Sequence, residues 1–232
     1  MIPHNKPTLG VKEISAVERV IKSGWVAQGR EVSIFEDEIS KFLGIDQGHT
    51  AVVSSGTAAL FLALWILQSK DKRVGVPVYA CSSLRNAVEM AGAIPIYIDC
   101  AEGSPNLDLN ARQLSNVDIL IAPSMYGIPI NLKMSQKFKI IEDVAQAFGS
   151  TVNKIPIGMR GELGIASFYA TKFLTSGGQG GAIFSHNKHI IDSIKDYREF
   201  DNRRDEKFRF NFQMTDIQAA IGREQLKQFK VF

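Results

Sequence analysis

The sequence is poor in the residues that build disulfide frameworks and metal sites. Only Cys81 and Cys100 are cysteines among its 232 residues. Four histidines are present: His4, His49, His186 and His189. None of these residues follows a metal-ligand spacing, so we expect no metal. Two cysteines without a framework suit a reducing compartment, which predicts a cytoplasmic protein.

Long apolar runs and charge of a single sign are also missing. The longest apolar run, residues 58–67, is far shorter than the ~20 residues of a membrane span. The N-terminus lacks a charged region followed by an apolar stretch, so we expect neither secretion nor a membrane anchor. The formal net charge is +3, and the most charged stretch, residues 195–210, mixes both signs. This pattern argues against nucleic-acid binding.

Several common catalytic motifs are absent as well. The sequence contains no GxGxxG or GxxxxGK[ST] loop and no GxSxG turn, which argues against nucleotide hydrolysis and against a serine-hydrolase elbow. Internal repeats and low-complexity segments are also missing. With 45% hydrophobic and 22% charged residues, the chain has the composition of a globular protein with a sizeable core.

What remains is a regular alternation of short apolar runs and helical patterns. Two amphipathic helices, residues 12–23 and 31–43, come first. β-rich runs follow at residues 51–54, 73–77, 94–99, 118–123, 138–143, 164–169 and 181–185. Helical patterns begin at Thr57 and near Ser83, and others cover residues 188–197 and 215–228. This alternation predicts an α/β fold with a largely parallel sheet covered on both faces, and functional groups at the carboxyl ends of its strands.

The segment SSGTAAL follows the first predicted strand and begins a helix. Ser55, Gly56, Thr57 and Ala58 would present backbone N–H groups and hydroxyls to an anion such as a phosphate. The alternative is an ordinary strand-to-helix turn in which a serine or threonine caps the helix.

Two further segments place a carboxylate and a lysine at strand ends. Asp143 ends an apolar strand, where an acidic side chain is costly without a partner; it would face a protonated ring nitrogen or cap the next turn. Lys172 follows SFYAT and precedes the glycine-rich TSGGQGG, whose glycines permit close backbone approach. A single lysine is usually a solvated surface charge. Because Lys172 occurs together with Asp143 and the SSGTAAL segment, a chemical role is favoured.

These segments, in this order, resemble the DegT/DnrJ/EryC1/StrS family of pyridoxal-phosphate-dependent aminotransferases, which act mostly on keto sugars attached to nucleotides. The resemblance is collinear over nearly the whole chain. It runs through IPHNKPTLG, SGWVAQGREVSIFEDEISKFLG, SSGTAAL, AGAIPIYID, MYGIP, IEDVAQAFG, SFYATKFLTSGGQGGAIF and NFQMTDIQAAIGREQL. It implies the type I fold of these enzymes, a mixed, mainly parallel sheet between helices.

The resemblance also implies roles for individual residues. Lys172 would carry pyridoxal phosphate as a Schiff base, and Asp143 would keep the pyridine nitrogen protonated. Gln146 would lie by the cofactor ring and its 3-hydroxyl. The phosphate would be held by Thr57 and Ala58 beside Gly56, by Ser167, and by Asn211 of a neighbouring subunit, with Gln213 as a competing choice for Asn211. Catalysis would therefore depend on Lys172 and Asp143 in a homodimer with sites at the subunit interface.

The resemblance further implies that an amino group moves, with glutamate as the donor, to a keto sugar nucleotide. Relatives that dehydrate sugars have histidine at the lysine position, so Lys172 favours transamination. Residues 1–210 would form the cofactor-binding large domain with its N-terminal helical segment. Residues 211–232 would begin the helix that leads to a smaller C-terminal domain, which we expect to be missing from this chain.

The sequence departs from the family pattern at three positions near the expected site. Cys81 stands where many members have an aromatic residue that stacks on the cofactor ring, so the stacking contact is expected to be lost or replaced by a contact with the thiol. Ser124 occupies a position that is often histidine, and Phe148 is another departure, so we expect fewer polar groups around the site. These departures leave open an alternative hypothesis, a truncated, non-catalytic paralogue that serves as a partner subunit or relic.

Overall fold

The computed structural model describes residues 6–132, 137–201 and 204–229. The start of the IPHNKPTLG segment, His4, two residues of the charged stretch and residues 230–232 of the expected linker helix lie outside these ranges. The helices are α1 (Val11–Ser23), α2 (Arg30–Leu43), α3 (Gly56–Ile66), α4 (Ser83–Met90), α5 (Lys188–Arg198) and α6 (Asp216–Gln228). All six lie within one or two residues of the helical patterns in the sequence.

The described residues contain nine strands. They are β1 (Thr50–Val53), β2 (Arg73–Pro77), β3 (Ile94–Ile98), β4 (Ile119–Pro123), β5 (Lys139–Asp143), β6 (Thr151–Val152), β7 (Ile155–Pro156), β8 (Leu163–Ser167) and β9 (Gly181–Phe184). Seven of them form one sheet in the order β1-β9-β8-β5-β4-β2-β3, while β6 and β7 form a separate hairpin. The sequence pattern did not predict this hairpin.

The large sheet is parallel except for one strand. β9 runs antiparallel to both of its neighbours, β1 and β8, whereas β8, β5, β4, β2 and β3 pair in parallel. The expected α/β fold with a mixed, mainly parallel sheet is therefore confirmed. Parallel strands place their carboxyl ends at one edge of the sheet, and the loops that follow β1, β2, β4, β5 and β8 meet there.

Helices cover both faces of the sheet. α3, α4 and α5 bury one face, and α3 is apolar on all sides because it is enclosed by the sheet and its neighbours. On the other face a second core forms around Phe35 of α2, Phe168 and Phe184, which are fully buried. Each such side chain contributes about 1.5–3 kcal/mol when it leaves water.

The N-terminal helices are held by the last helix described. α6 packs on both α1 and α2. The Asp216 carboxylate at its first residue accepts hydrogen bonds from the N–H groups of Gly29 (2.8 Å), Glu31 (3.2 Å) and Val32 (3.1 Å). These donors are among the amides at the start of α2 that have no intrahelical acceptor. The start of α6 thus caps α2.

Within the ranges given above, no helix has the length and apolar character needed to span a membrane. The same part of the chain contains no group of three or more histidine, cysteine, aspartate or glutamate side chains arranged to hold a metal ion.

Candidate active site

A cavity of about 300 Å³ lies at the carboxyl edge of the sheet. Its walls come from the turns that follow β1, β2, β4, β5 and β8. The expected site residues that line it are Gly56, Thr57, Cys81, Asp143, Gln146, Ser167 and Lys172. The structure therefore brings together seven of the nine residues singled out from the sequence.

One end of the cavity is the first turn of α3. Ser55 caps this helix: its Oγ accepts the Ala58 N–H at 3.1 Å, and its carbonyl accepts the Ala59 N–H at 3.0 Å. Because these two amides are taken, the amides left at the open helix start are those of Gly56 and Thr57, and both residues line the cavity. A helix start of this kind attracts an anion.

Gly56 and Ser167 make a close approach at this end. A Cβ atom at Gly56 would lie 2.8 Å from Ser167 Cβ and 3.0 Å from its Oγ. No real side chain could occupy that space without displacing Ser167. The glycine thus keeps the serine hydroxyl beside the helix start, where both face the cavity.

Asp143 ends β5 in the cavity wall and is 5% exposed. Its Oδ1 accepts the Ala145 N–H at 2.9 Å. Burial raises the pKa of Asp143 to about 6, although this hydrogen bond and the positive charge of Lys172 both act to lower it. The carboxylate therefore gains from any cation that enters the cavity.

Lys172 and Cys81 approach the cavity from different loops. Lys172 follows β8, and its backbone N–H donates to the Tyr169 carbonyl at 3.0 Å. Cys81 precedes α4 and is exposed. Hydrogen bonds with Ser83 hold the pKa of the Cys81 thiol below its ordinary value, and the Lys172 charge acts in the same direction. The thiol thus forms part of the cavity wall.

Gln146 has a defined amide orientation. Its Oε1 accepts the backbone N–H of Tyr126 at 3.1 Å. This bond fixes which way the amide is turned: the oxygen keeps a second lone pair, and the NH₂ group has two hydrogens to donate. Gln146 therefore offers the cavity a donor.

Two of the expected residues lie elsewhere. Ala58 is buried, its N–H is engaged by Ser55, and it does not line the cavity. Asn211 is exposed in the segment before α6, where its Oδ1 accepts the Gln213 N–H at 3.2 Å. It does not line the cavity either, although the next residue, Phe212, accepts the Ser54 N–H at 2.9 Å beside the β1–α3 turn.

Ser124 and Phe148, the other two departures from the family pattern, differ in whether they line the cavity. Ser124 lines the cavity, and its Oγ accepts the Ile130 N–H at 3.1 Å. Phe148 is 4% exposed and packs against Phe42 and Phe168 in the core. It removes no polar group from the cavity, so the sequence-based expectation for Phe148 was wrong.

Some cavity residues escaped the sequence analysis. Tyr169 and Gln179 line the cavity from the segments around Lys172, and Ser83 does so from the start of α4. Tyr169 and Gln179 belong to a segment that carries the family resemblance, but nothing in its spacing distinguishes these side chains. For Ser83, the predicted helix start was the sequence feature that could have placed it in the site.

The chain matches the model of the DegT/DnrJ/EryC1/StrS aminotransferase family over residues 7–232. It belongs to this family. Among curated members, GDP-perosamine synthase of Vibrio cholerae is 30% identical over 98% of this chain and 66% of its own. The dTDP-4-dehydro-2,3,6-trideoxy-D-glucose 4-aminotransferase of Saccharopolyspora spinosa is 28% identical over 100% of this chain and 67% of its own.

Solved structures of aminotransferases share the fold. Spr1654 of Streptococcus pneumoniae, solved in a PLP-form, superposes with a TM-score of 0.87 at 23% identity, over 98% of this chain and 67% of its own. At this identity the likeness establishes the fold. The chain spans 64–66% of the length of the first curated relatives it matches.

Proposed function

We propose that the chain is the cofactor-binding part of a pyridoxal-phosphate-dependent aminotransferase. Its substrates would be a keto sugar nucleotide and glutamate, the amino donor. One observation carries the proposal: a single cavity is lined by a lysine, by a buried carboxylate with a raised pKa, and by the open start of a helix.

The donor set fits pyridoxal phosphate. The amides of Gly56 and Thr57, with the Ser167 hydroxyl, would hold its phosphate. Asp143 would face the pyridine nitrogen, and Gln146 would donate its NH₂ group to the ring oxygen. Lys172 would attach the cofactor through its Nζ. The PLP-form of Spr1654 supports this choice of cofactor.

When bound, pyridoxal phosphate accepts the electrons left behind as a proton leaves the carbon beside the amine. Asp143 supports this chemistry, because an ionised carboxylate opposite the pyridine nitrogen holds a proton there. Lys172 would hold the cofactor through its Nζ. Once displaced and neutral, the Nζ would take a proton from one carbon and return it to another, which requires reach to within ~3 Å of both.

The names of the relatives support the substrate class. One is a GDP-perosamine synthase, and the other is an aminotransferase of a dTDP-linked dehydro sugar. Both names contain a nucleotide-linked sugar, and the second names a 4-dehydro substrate with amination at that position. We therefore infer that a keto sugar nucleotide accepts the amino group.

A homodimer is part of the proposal. Asn211 is exposed beside Phe208 and Phe210, which are 72% and 45% exposed and pack edge to face with ring centroids 5.0 Å apart. Two exposed aromatic rings beside an exposed amide are typical of an interface. In a symmetric dimer each Asn211 would reach the phosphate end of the partner's cavity.

Domain division and location also remain proposals. Residues 1–210 would form the large domain, and residues 211–232 would begin the helix toward a second domain. The packing of α6 on α1 and α2 supports a firm attachment of this helix to the large domain. A cytoplasmic location is proposed from the two free cysteines.

A non-catalytic partner subunit is the second candidate. It is favoured by the Cys81 thiol at the position of the ring-stacking aromatic residue, since a lost stacking contact weakens cofactor binding. Glutamate distinguishes the two candidates: an aminotransferase converts its bound pyridoxal phosphate to pyridoxamine phosphate in the presence of glutamate, and a non-catalytic subunit does not.

The test combines absorbance, borohydride reduction and mass spectrometry. With pyridoxal phosphate, the protein should gain a visible band, and reduction should fix the cofactor's mass to the peptide that contains Lys172. Lys172→Ala should abolish both signals. Lys12→Ala, which changes an exposed lysine of α1, should leave both unchanged. A labelled peptide in Lys172→Ala equal to that of the wild type would overturn the assignment.

A further inference from the structure

Tyr126 connects three loops at the mouth of the cavity. Its hydroxyl lies 2.5 Å from the hydroxyl of Tyr79, which belongs to the loop between β2 and α4. Its backbone N–H donates to Gln146 Oε1, in the segment after β5. Tyr126 itself follows β4. A single residue therefore links the ends of three parallel strands whose loops line the cavity.

The backbone of Tyr126 adopts a conformation that a tyrosine rarely takes. Its φ of 55° and ψ of 31° lie in the left-handed region, where the Cβ of any residue other than glycine is crowded. Such a conformation persists only where neighbouring groups hold it. Three hydrogen bonds are in position to hold it: the one between the Tyr126 and Tyr79 hydroxyls, the one from the Tyr126 N–H to Gln146 Oε1, and the one from the Ile128 N–H to the Met125 carbonyl.

The hydrogen bond from the Tyr126 N–H orients the Gln146 amide. With Oε1 turned toward this N–H, the NH₂ group has two hydrogens to donate. The Tyr126 N–H lies in the peptide plane shared with Met125, so it would leave Oε1 if the turn after β4 moved. Gln146 would then be able to present either end.

We propose that Tyr79 and Tyr126 form a latch that positions Gln146 as a hydrogen-bond donor toward the cofactor ring. The inference rests on the proposed function for its ligand, but the latch itself is a property of the protein alone. Both rings are at least half exposed, at 50% and 60%. Loss of the bond between them should therefore leave the core intact.

The first experiment tests the latch without cofactor, by hydrogen exchange of the Tyr126 amide measured with NMR. Tyr79→Phe removes the hydroxyl contact, and the exchange rate should rise about 2- to 10-fold, the effect of one hydrogen bond. Gln146→Ala removes the acceptor and should raise the rate at least as much. Tyr97→Phe changes an exposed tyrosine of β3 and should have no effect. An unchanged rate in Tyr79→Phe would overturn the latch.

The second experiment measures the dissociation constant of pyridoxal phosphate. Tyr79→Phe should weaken binding about 2- to 10-fold, with an unfolding midpoint equal to that of Tyr97→Phe. Tyr126→Gly should bind more tightly than Tyr126→Ala, because glycine enters the left-handed region freely and keeps the N–H on Gln146. Equal affinities of the glycine and alanine variants, or faster exchange without weaker binding, would refute the positioning role.

The two hypotheses fail in distinguishable ways. If the wild type bound no pyridoxal phosphate, the proposed function would be refuted, while the exchange rates would still decide whether the latch exists. If the wild type bound the cofactor but Tyr79→Phe matched it in both experiments, the latch alone would be refuted.

Discussion

Asp143 and Lys172 line one cavity, and the positive charge of Lys172 lowers the pKa of Asp143 while burial raises it to about 6. The ordinary value is 3.8, so the folded protein binds this proton more tightly than the unfolded chain does. The contribution of Asp143 to the free energy of unfolding is therefore greatest below about pH 4. It falls as the pH rises through about 6.

Replacement of Asp143 by asparagine should stabilise the cofactor-free protein at pH 8. The neutral amide keeps an acceptor for the Ala145 N–H but removes the buried charge, so the free energy of unfolding should rise by about 1–3 kcal/mol at pH 8. At pH 4 the two proteins should differ little. Urea unfolding at both pH values measures this. Asp46→Asn, an exposed control, should show no such pH-dependent gain, and a loss of stability at pH 8 in Asp143→Asn would contradict the expectation.

Gly56→Ala should weaken cofactor binding. The added Cβ would lie 2.8 Å from Ser167 Cβ and would push the serine away from the helix start. We expect the dissociation constant for pyridoxal phosphate to rise at least ~10-fold, or about 1.4 kcal/mol. Gly10→Ala is a matched control at the start of α1, where the nearest atom to the new Cβ is 3.9 Å away. Equal dissociation constants for both variants would argue against a phosphate at this turn.

Glu36→Gln should destabilise the fold. Glu36 is 4% exposed; it accepts the Val52 N–H at 3.0 Å and pairs with Arg198 at 2.5 Å and Lys195 at 2.6 Å. Loss of its charge leaves the Arg198 cation buried, which typically costs about 3–5 kcal/mol. Glu18→Gln breaks an exposed pair with Lys22 and should cost at most ~1 kcal/mol. Urea unfolding of both variants at pH 7 provides the comparison, and equal losses would rule out a special role for the buried pair.

Asn211 provides a test of the dimer. If it completes the partner's site, Asn211→Ala and Lys172→Ala homodimers should each bind pyridoxal phosphate poorly. A mixture of the two should regain binding, because a heterodimer contains one site with both residues intact. Light scattering checks the assembly state, and absorbance titration checks the affinity. This arrangement would be excluded by a monomeric wild type. It would also be excluded if the mixture bound pyridoxal phosphate no more tightly than the average of the two homodimers.

The fold was largely predictable from the sequence because short apolar runs and helical periodicity are local properties. The bounds of β2, residues 73–77, were predicted without error. The direction of β9 was not predictable. Side chains alternate along a strand in the same way whichever direction it runs, so the pattern over Gly181–Phe184 contains no information about its antiparallel pairing.

The candidate site was predictable to the extent that it depends on strand ends. Asp143 and Lys172 could be selected because both follow apolar strands. The turn at Ser55 caps α3 as an ordinary turn does, and two amides remain at the helix start, so the phosphate interpretation stays a prediction. The left-handed conformation of Tyr126 could not be predicted from the sequence, because it depends on contacts with Gln146 and Tyr79, which lie 20 and 47 positions away.

The cap that Asp216 provides for α2 has a consequence for biosynthesis. Its carboxylate meets the Gly29 N–H across 187 positions of sequence. A ribosome must therefore make almost all of the described chain before α2 can acquire its acceptor, and distant contacts of this kind form slowly. Until Asp216 has been synthesised, the amides at the start of α2 can donate only to water or to a chaperone.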